Sequence, residues 1–408
     1  MTRPEHKQDL EIAAISSVHD QSVNVVERPR YYRPELDVLR FFAFLMVFAS
    51  HSVPGDEAFY SQWGIPSGIS RWIISMAASG AFGVDLFFAL SSFLITTLLL
   101  REQQSFATIN ISSFYMRRVL RIWPLYFVFL LAFAPLLDHW LSEQAMPREY
   151  VVAFALLAGN WACVFWGYPH SVASPLWSVS IEEQFYLVWP FLMRRWAHQL
   201  VSVGVVLLLV SFITRIWLVI DGVGHPQIWC NTLARLDPIA CGALLAARAH
   251  RSNIVIAPRV RALLVLLSFV SLAAIARYGD FVGVKALFTF PAVTLVSITL
   301  IVCALGWHLP ESPSPISRAL VYLGRISYGL YVFHLAFVYR FGVSSTHGPI
   351  ARPVAMIGAL AATIAMAAIS YHFLEQPFLR LKLRFTRVAS EPERWRLGGD
   401  EVTTSILG

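Results

Sequence analysis

The sequence predicts an all-α fold, a polytopic membrane helical bundle of about 10 transmembrane helices plus one re-entrant or partial segment. Three observations carry this expectation. The 408 residues are 57% apolar and only 14% charged, against about 25% charge in a soluble domain. The mean hydropathy is +0.59. The shortage of charge is concentrated in segments near 20 residues long, the length that satisfies its own backbone as a helix in lipid. Such continuous runs are too long for the alternating strands of a membrane barrel.

The apolar segments fall, in order, at 35–53, 72–100, 119–137, 149–166, 174–193, 199–220, 232–249, 261–277, 286–306, 320–341 and 352–379. Eleven crossings would leave Arg194/Arg195 and the C-terminal basic run outside, against the bias of Lys and Arg for the cytosolic side. Removing 149–166 from the count brings the basic clusters to one side. That segment is also interrupted by Gly159-Asn160 and followed by GYPHSVASP. It is therefore expected to be re-entrant, leaving ten crossings and both termini cytosolic.

The division follows: a polar cytosolic tail at 1–33, a membrane domain at 34–380 and a cytosolic C-terminal tail at 381–408. The first 30 residues contain no apolar signal-peptide core. A net charge of +7 is explained by cytosolic Lys and Arg, so no nucleic-acid partner is expected. Cys163, Cys230, Cys241 and Cys303 form no CxxC pair and read as packing residues, with no metal site.

Ionisable residues inside apolar segments carry the functional information, because each costs on the order of 2.5–3.5 kcal/mol on insertion scales. Arg40 and His51, eleven residues apart, fall on one helix face about 16 Å apart along the axis. They suit the two ends of one long ligand, or else the two interfaces. Asp37 is spaced to pair with Arg40. Asp85, among small residues, needs a cation or a wet cavity, in an ion pair or in catalysis. Arg117, Arg118 and Arg121 suit oxyanions bidentately, or simply mark the cytosolic face.

Glu182 and Glu183, beside Gln184 and Tyr186, are adjacent carboxylates at an aromatic helix start. One of them would assist proton transfer or orient a histidine. Arg235 and Asp237 form a further intramembrane charge group, and His334 and Glu375 complete the set. There is no nucleophile elbow, HExxH or Walker loop, which removes support for covalent serine catalysis, zinc hydrolysis and ATP-driven transport. A transporter or flippase of a polyprenyl-linked sugar is the rival class. Against it, no Gly/Pro-broken segments recur in corresponding halves.

The motifs coincide with a known family. They are Arg40-x10-His51, GVDLFFALSSFLIT (83–96), FYMRRVLRIWPLY (114–126), PLWSVSIEEQFYLVWP (175–190), ARLDPIACGALLA (234–246), ISYGLYVFHL (326–335) and FLEQPF (373–378). In these the chain resembles the acyltransferase-3 family of integral membrane O-acyltransferases acting on sugars, from about Leu36 to Arg380. Ser92 stands where the family usually has Gly. Some relatives carry an extra C-terminal hydrolase-like domain, and here the acceptor is expected to be handled by the membrane domain alone or by a separate protein.

The resemblance implies transfer of an acyl group, most often acetyl, from cytosolic acyl-CoA to a hydroxyl. The acceptor would be a cell-surface or lipid-linked carbohydrate, or a secondary metabolite such as a glycosylated antibiotic. A bacterial inner membrane is the implied setting. Arg40, Arg117, Arg118 and Arg121 would hold the CoA phosphates. His51 would act as general base or as an acyl carrier, with Glu182 or Glu183 fixing its tautomer and Asp85 completing the catalytic set. Tyr186, Arg235, Asp237 and His334 would contact substrate. No metal is implied.

Overall fold

The computed structural model describes residues 31–141, 146–278, 282–307, 314–343, 348 and 350–388. Most of the two expected tails, 1–33 and 381–408, lies outside the described residues. The described chain is helical throughout, with no strand among the described residues.

Helix α1, Pro34–Ser52, starts with Pro at its first position and has Glu35 and Asp37 in its first turn. Both features favour a helix start, through the fixed φ of proline and the positive end of the helix dipole. Helix α2, Ser67–Ala78, passes through the 3₁₀ turn Ser79–Phe82 into α3, Gly83–Phe106. Left-handed Ala107 (φ 56°) ends α3. The side chain of Asn110 caps α4, Ile111–Val128, by accepting from the Ser113 amide at 2.8 Å.

The segment expected to fall short of a crossing forms two short helices, α5 (Arg148–Ala155) and α6 (Gly159–Trp166). Side chains satisfy the polar groups freed by the break, as a low-dielectric environment requires. Gln184 Nε2 donates to the Leu157 carbonyl at 3.0 Å and to Asn160 Oδ1 at 2.8 Å. Asn160 Nδ2 donates to the Cys230 carbonyl at 3.0 Å, and Ser180 Oγ accepts from the Gly159 amide at 3.2 Å.

The remaining long helices are α7 (Trp177–Trp196), α8 (Leu200–Ile220), α9 (Leu236–Arg251), α10 (Pro258–Tyr278) and α11 (Gly283–Leu305). After them come α12 (Pro315–Arg325), α13 (Ser327–Arg340) and α14 (Ala351–Ser370). Helices α12 and α13 meet at 76° about Ile326.

Glycines set the central packing. A Cβ on Gly80, Gly83 or Gly324 would strike the backbone of α1 at Met46, Ala43 or Asp37, so α1 lies in backbone contact with its neighbours on two sides. Gly242 brings α9 equally close to Ala89 of α3. Helix α1, which carries both Arg40 and His51, is thereby clamped in the middle of the bundle.

The outer surface is inverted relative to a water-soluble protein. Val201, Val205, Leu209, Ile213 and Trp217 form an exposed i,i+4 stripe along α8, and Leu263, Leu266 and Val270 an exposed i,i+3/i+4 stripe on α10. Six helical runs among the described residues are long and apolar enough to cross a membrane, or seven if the bent α12–α13 pair is one span. The ten expected crossings are therefore not confirmed. Helix α1 carries Glu35, Asp37 and Arg40, and α9 has only 16 residues. The runs Ser67–Phe106 and Ser174–Ile220 each hold two helices joined by a short 3₁₀ turn.

Candidate active site

Three cavities lie in series beside α1. The first, of about 420 Å³, is strongly basic: Arg33, Arg40, Arg118, Arg121, Arg325, Arg380 and Lys382 line it, and Asp37 is the one acid among the lining residues. Asp37 is already engaged, with Arg40 Nη1 at 3.7 Å and with the Tyr32 hydroxyl, which donates to Oδ2 at 2.8 Å. The excess of cations suits a polyanion, because guanidinium groups match phosphate oxygens bidentately.

The second cavity is a neck of about 80 Å³. It shares Arg40, Ser91, Arg118 and Arg121 with the basic cavity, and Val84 and Tyr331 with the third. Glu182 stands in its wall, its two oxygens accepting from Ser91 Oγ at 3.0 Å and the Tyr186 hydroxyl at 2.8 Å. Tyr186 in turn lies under the Arg118 guanidinium, 5.7 Å from the ring centroid. Glu183 points elsewhere and accepts from Trp123 Nε1 at 3.0 Å.

The third cavity holds about 400 Å³ and is built around His51. Its lining includes Tyr168, His170, Trp177, His225 and Trp229, with no Asp, Glu, Lys or Arg among the described residues. Aromatic faces and neutral hydrogen-bonding groups of this kind suit an uncharged polyhydroxyl ligand. His51 sits on α1 with Nδ1 3.0 Å from the Val47 carbonyl and 3.3 Å from Nε2 of His334. His334, on α13, is fully buried and places Nδ1 2.6 Å from the carbonyl of Tyr331.

Several expectations from the sequence need correction. The two glutamates do not orient His51: their hydrogen-bond partners are Ser91, Tyr186 and Trp123, and the ring facing His51 belongs to His334. Asp85 lines none of the three cavities. Its carboxylate pairs with Arg235 at 2.8 Å, with both side chains essentially fully buried, which is the ion-pair alternative and keeps the carboxylate away from His51. Asp237 is likewise paired, with Arg215 at 3.0 Å.

Neither Arg235 nor Asp237 is therefore placed to touch substrate. Arg235 lies 4.2 Å from the centroid of Trp229 and backs the cavity wall that Trp229 forms. Arg117 turns away from the basic cavity to Glu102 at 3.1 Å and the Phe385 carbonyl at 2.9 Å. Tyr186 lines the neck, not the His51 cavity. His334 supports His51 from behind and does not line the cavity. No group of residues that would hold a metal occurs among the described residues.

The sequence alone did not single out Arg325, Arg380 and Lys382 as lining, nor the aromatic shelf of Tyr168, Trp177 and Trp229. The basic character of the first group was visible, but only as topology.

A basic cavity, a neck and a histidine are thus aligned along one helix. The sequence model of the acyltransferase-3 family, described as "Acyltransferase domain", matches residues 33–372. The chain belongs to this family.

Three relatives illustrate the likeness. "Putative O-acetyltransferase SAS0844" of Staphylococcus aureus is 26% identical over 381 residues, covering 85% of this chain and 57% of its own length. "Peptidoglycan O-acetyltransferase OatA" of Listeria monocytogenes is 26% identical over 372 residues, covering 85% and 56%. "Putative peptidoglycan O-acetyltransferase YrhL" of Bacillus subtilis is 27% identical over 375 residues, covering 85% and 55%. The chain thus spans a little over half the length of the curated relatives it matches. No solved structure matches the chain.

Proposed function

We propose that this chain is a membrane O-acyltransferase that moves an acyl group, acetyl first among candidates, from acyl-CoA to a hydroxyl of a carbohydrate. The observation that carries the reading is the serial arrangement of basic cavity, neck and His51 cavity along α1. The rise from Arg40 to His51 is about 16 Å, which leaves room for a phosphopantetheine arm between its phosphates and its thioester.

In this reading Arg40, Arg118 and Arg121, with Arg325 and Arg380, hold the nucleotide phosphates at the cytosolic side. The thioester passes between Ser91 and Tyr331 towards His51. The acceptor sugar enters the neutral aromatic cavity, where one hydroxyl meets the imidazole. His51 takes the hydroxyl proton as the oxygen attacks the thioester carbonyl. The C–S bond of the tetrahedral intermediate then breaks, and the proton passes to the departing thiolate. The products are the ester and free CoA, with no net proton released.

The names of the relatives favour acetyl as the acyl group and a cell-wall glycan as the acceptor class. The reading is tested with purified chain in lipid nanodiscs, acyl-labelled acetyl-CoA and glycan acceptors of defined composition. Labelled ester together with free CoA supports the reading. Sugar movement across vesicle membranes without new ester would instead identify a flippase.

A further inference from the structure

We infer that His334 is a positioning residue that fixes the protonation pattern of His51, leaving Nε2 of His51 as the unprotonated, basic nitrogen. The inference rests on the assignment of His51 as the base. It adds a partner that neither the motif spacing nor family membership supplies.

The chain of hydrogen bonds starts at a group with only one role. A backbone carbonyl only accepts, so the 2.6 Å contact from His334 Nδ1 to the Tyr331 oxygen requires a proton on that Nδ1. A second proton on Nε2 would make His334 a cation. It is fully buried, its ring contacts are Phe44, Tyr331 and His51, and no carboxylate pairs with it among the described residues. An unpaired buried charge is strongly disfavoured, so His334 is neutral and its Nε2 carries a lone pair.

That lone pair lies 3.3 Å from Nδ1 of His51, which also faces the Val47 carbonyl at 3.0 Å. Both neighbours are acceptors. A lone pair on His51 Nδ1 would repel both of them, whereas a proton there satisfies both as a shared donor. His51 Nδ1 is therefore protonated and Nε2 is not. Nε2 is then the ring nitrogen left without a partner among the described residues, on an exposed side chain that lines the third cavity.

The arrangement has a catalytic consequence. Once Nε2 has taken the acceptor proton, the imidazolium keeps donating from Nδ1 to a fixed neutral acceptor, so no side chain rearranges during transfer. A carboxylate usually fills this place behind a catalytic histidine. A neutral imidazole holds the tautomer without placing a second charge in the bundle.

Two measurements test the inference. In wild-type protein carrying ¹⁵N-histidine, reconstituted in lipid, solid-state NMR reads each ring nitrogen, with His51 assigned from the spectrum of His51→Gln. A protonated Nδ1 with a bare Nε2 on His51 is expected. The opposite tautomer, or a doubly protonated ring at neutral pH, overturns the inference.

The second measurement compares His334→Leu with His334→Gln. The glutamine oxygen can replace the Nε2 acceptor, and leucine cannot. His334→Leu is expected to lower kcat by about 10-fold or more, with KM for acyl-CoA unchanged, because wrong tautomers cost rate and not donor binding. His334→Gln is expected to recover most of that loss. Equal activity of the leucine variant and wild type, or no advantage of glutamine over leucine, overturns the positioning role. If His51→Ala turns over like wild type, the assignment of the base itself fails, which is a separate outcome.

Discussion

Arg235 Nη2 lies 2.8 Å from Asp85 Oδ1, with essentially no solvent reaching either side chain. The pair joins α3 to the start of α9 at the centre of the bundle, and the guanidinium also packs between Trp229 and Phe290. Removing one partner leaves the other charged and alone in low dielectric, which typically costs about 3–5 kcal/mol.

Arg235→Leu and Asp85→Leu are therefore each expected to lower thermal stability sharply in detergent, read by fluorescence-detected size exclusion. The double variant is expected to recover much of the loss, because no orphan charge remains. Two single losses that simply add would contradict the pairing.

The arginines on α4 are expected to separate by function. Arg118→Gln and Arg121→Gln each remove a guanidinium that lines the basic cavity, and a charge-assisted contact from it to a phosphate would be worth about 1.5–3 kcal/mol. KM for acyl-CoA should rise about 10-fold or more in each. Arg117→Gln, whose side chain is held by Glu102 and Phe385, should leave KM within about twofold. Kinetics of all three at fixed acceptor concentration distinguish the cases, and a larger effect at Arg117 would contradict the cavity assignment.

Val84 lines both the neck and the His51 cavity. Val84→Trp is expected to obstruct the passage, leaving CoA binding by calorimetry near wild type while turnover falls about 100-fold. That magnitude follows from the sensitivity of group transfer to small misplacements of the reacting atoms. Weakened CoA binding with preserved kcat would place the donor elsewhere.

Clamping of α1 by glycine is also testable. Gly324→Ala puts a methyl group against the backbone at Asp37, where no flexible side chain can yield. Overpacking of this kind costs about 1–3 kcal/mol. The melting temperature should fall and, because Arg40 lies one turn beyond Asp37, KM for acyl-CoA should rise. An unshifted melting temperature would show that α1 is free to move.

What was legible in the sequence follows from the range of each interaction. Arg40 and His51 could be placed on one face because helix periodicity is local, and the arginine run near 117–121 announced itself by density. The break near Gly159 was visible for the same reason. The contact from His334 to His51 spans 283 residues, and Arg325 and Arg380 reach the basic cavity only through packing of α12 and the short helix Gln376–Lys382. No periodicity encodes such contacts.

The glutamates show the opposite failure. Two adjacent carboxylates invited a catalytic role near His51, but hydroxyls on α3 and α7 and an indole on α4 claim them first. Of the ten expected crossings, six or seven meet a strict length and hydropathy criterion among the described residues, because α1 carries three charges and α9 is short.

The central claim is that one ligand runs from the basic cavity to His51. The most direct measurement is a cryo-EM structure of the chain in nanodiscs with a thioether analogue of acetyl-CoA, which binds but cannot transfer. Nucleotide phosphates are expected on Arg40, Arg118 and Arg121, the pantetheine arm in the neck beside Ser91, and the thioether sulfur at the His51 cavity. Density for the nucleotide away from these arginines, or for the sulfur on the far side of α1 from His51, would contradict the central claim.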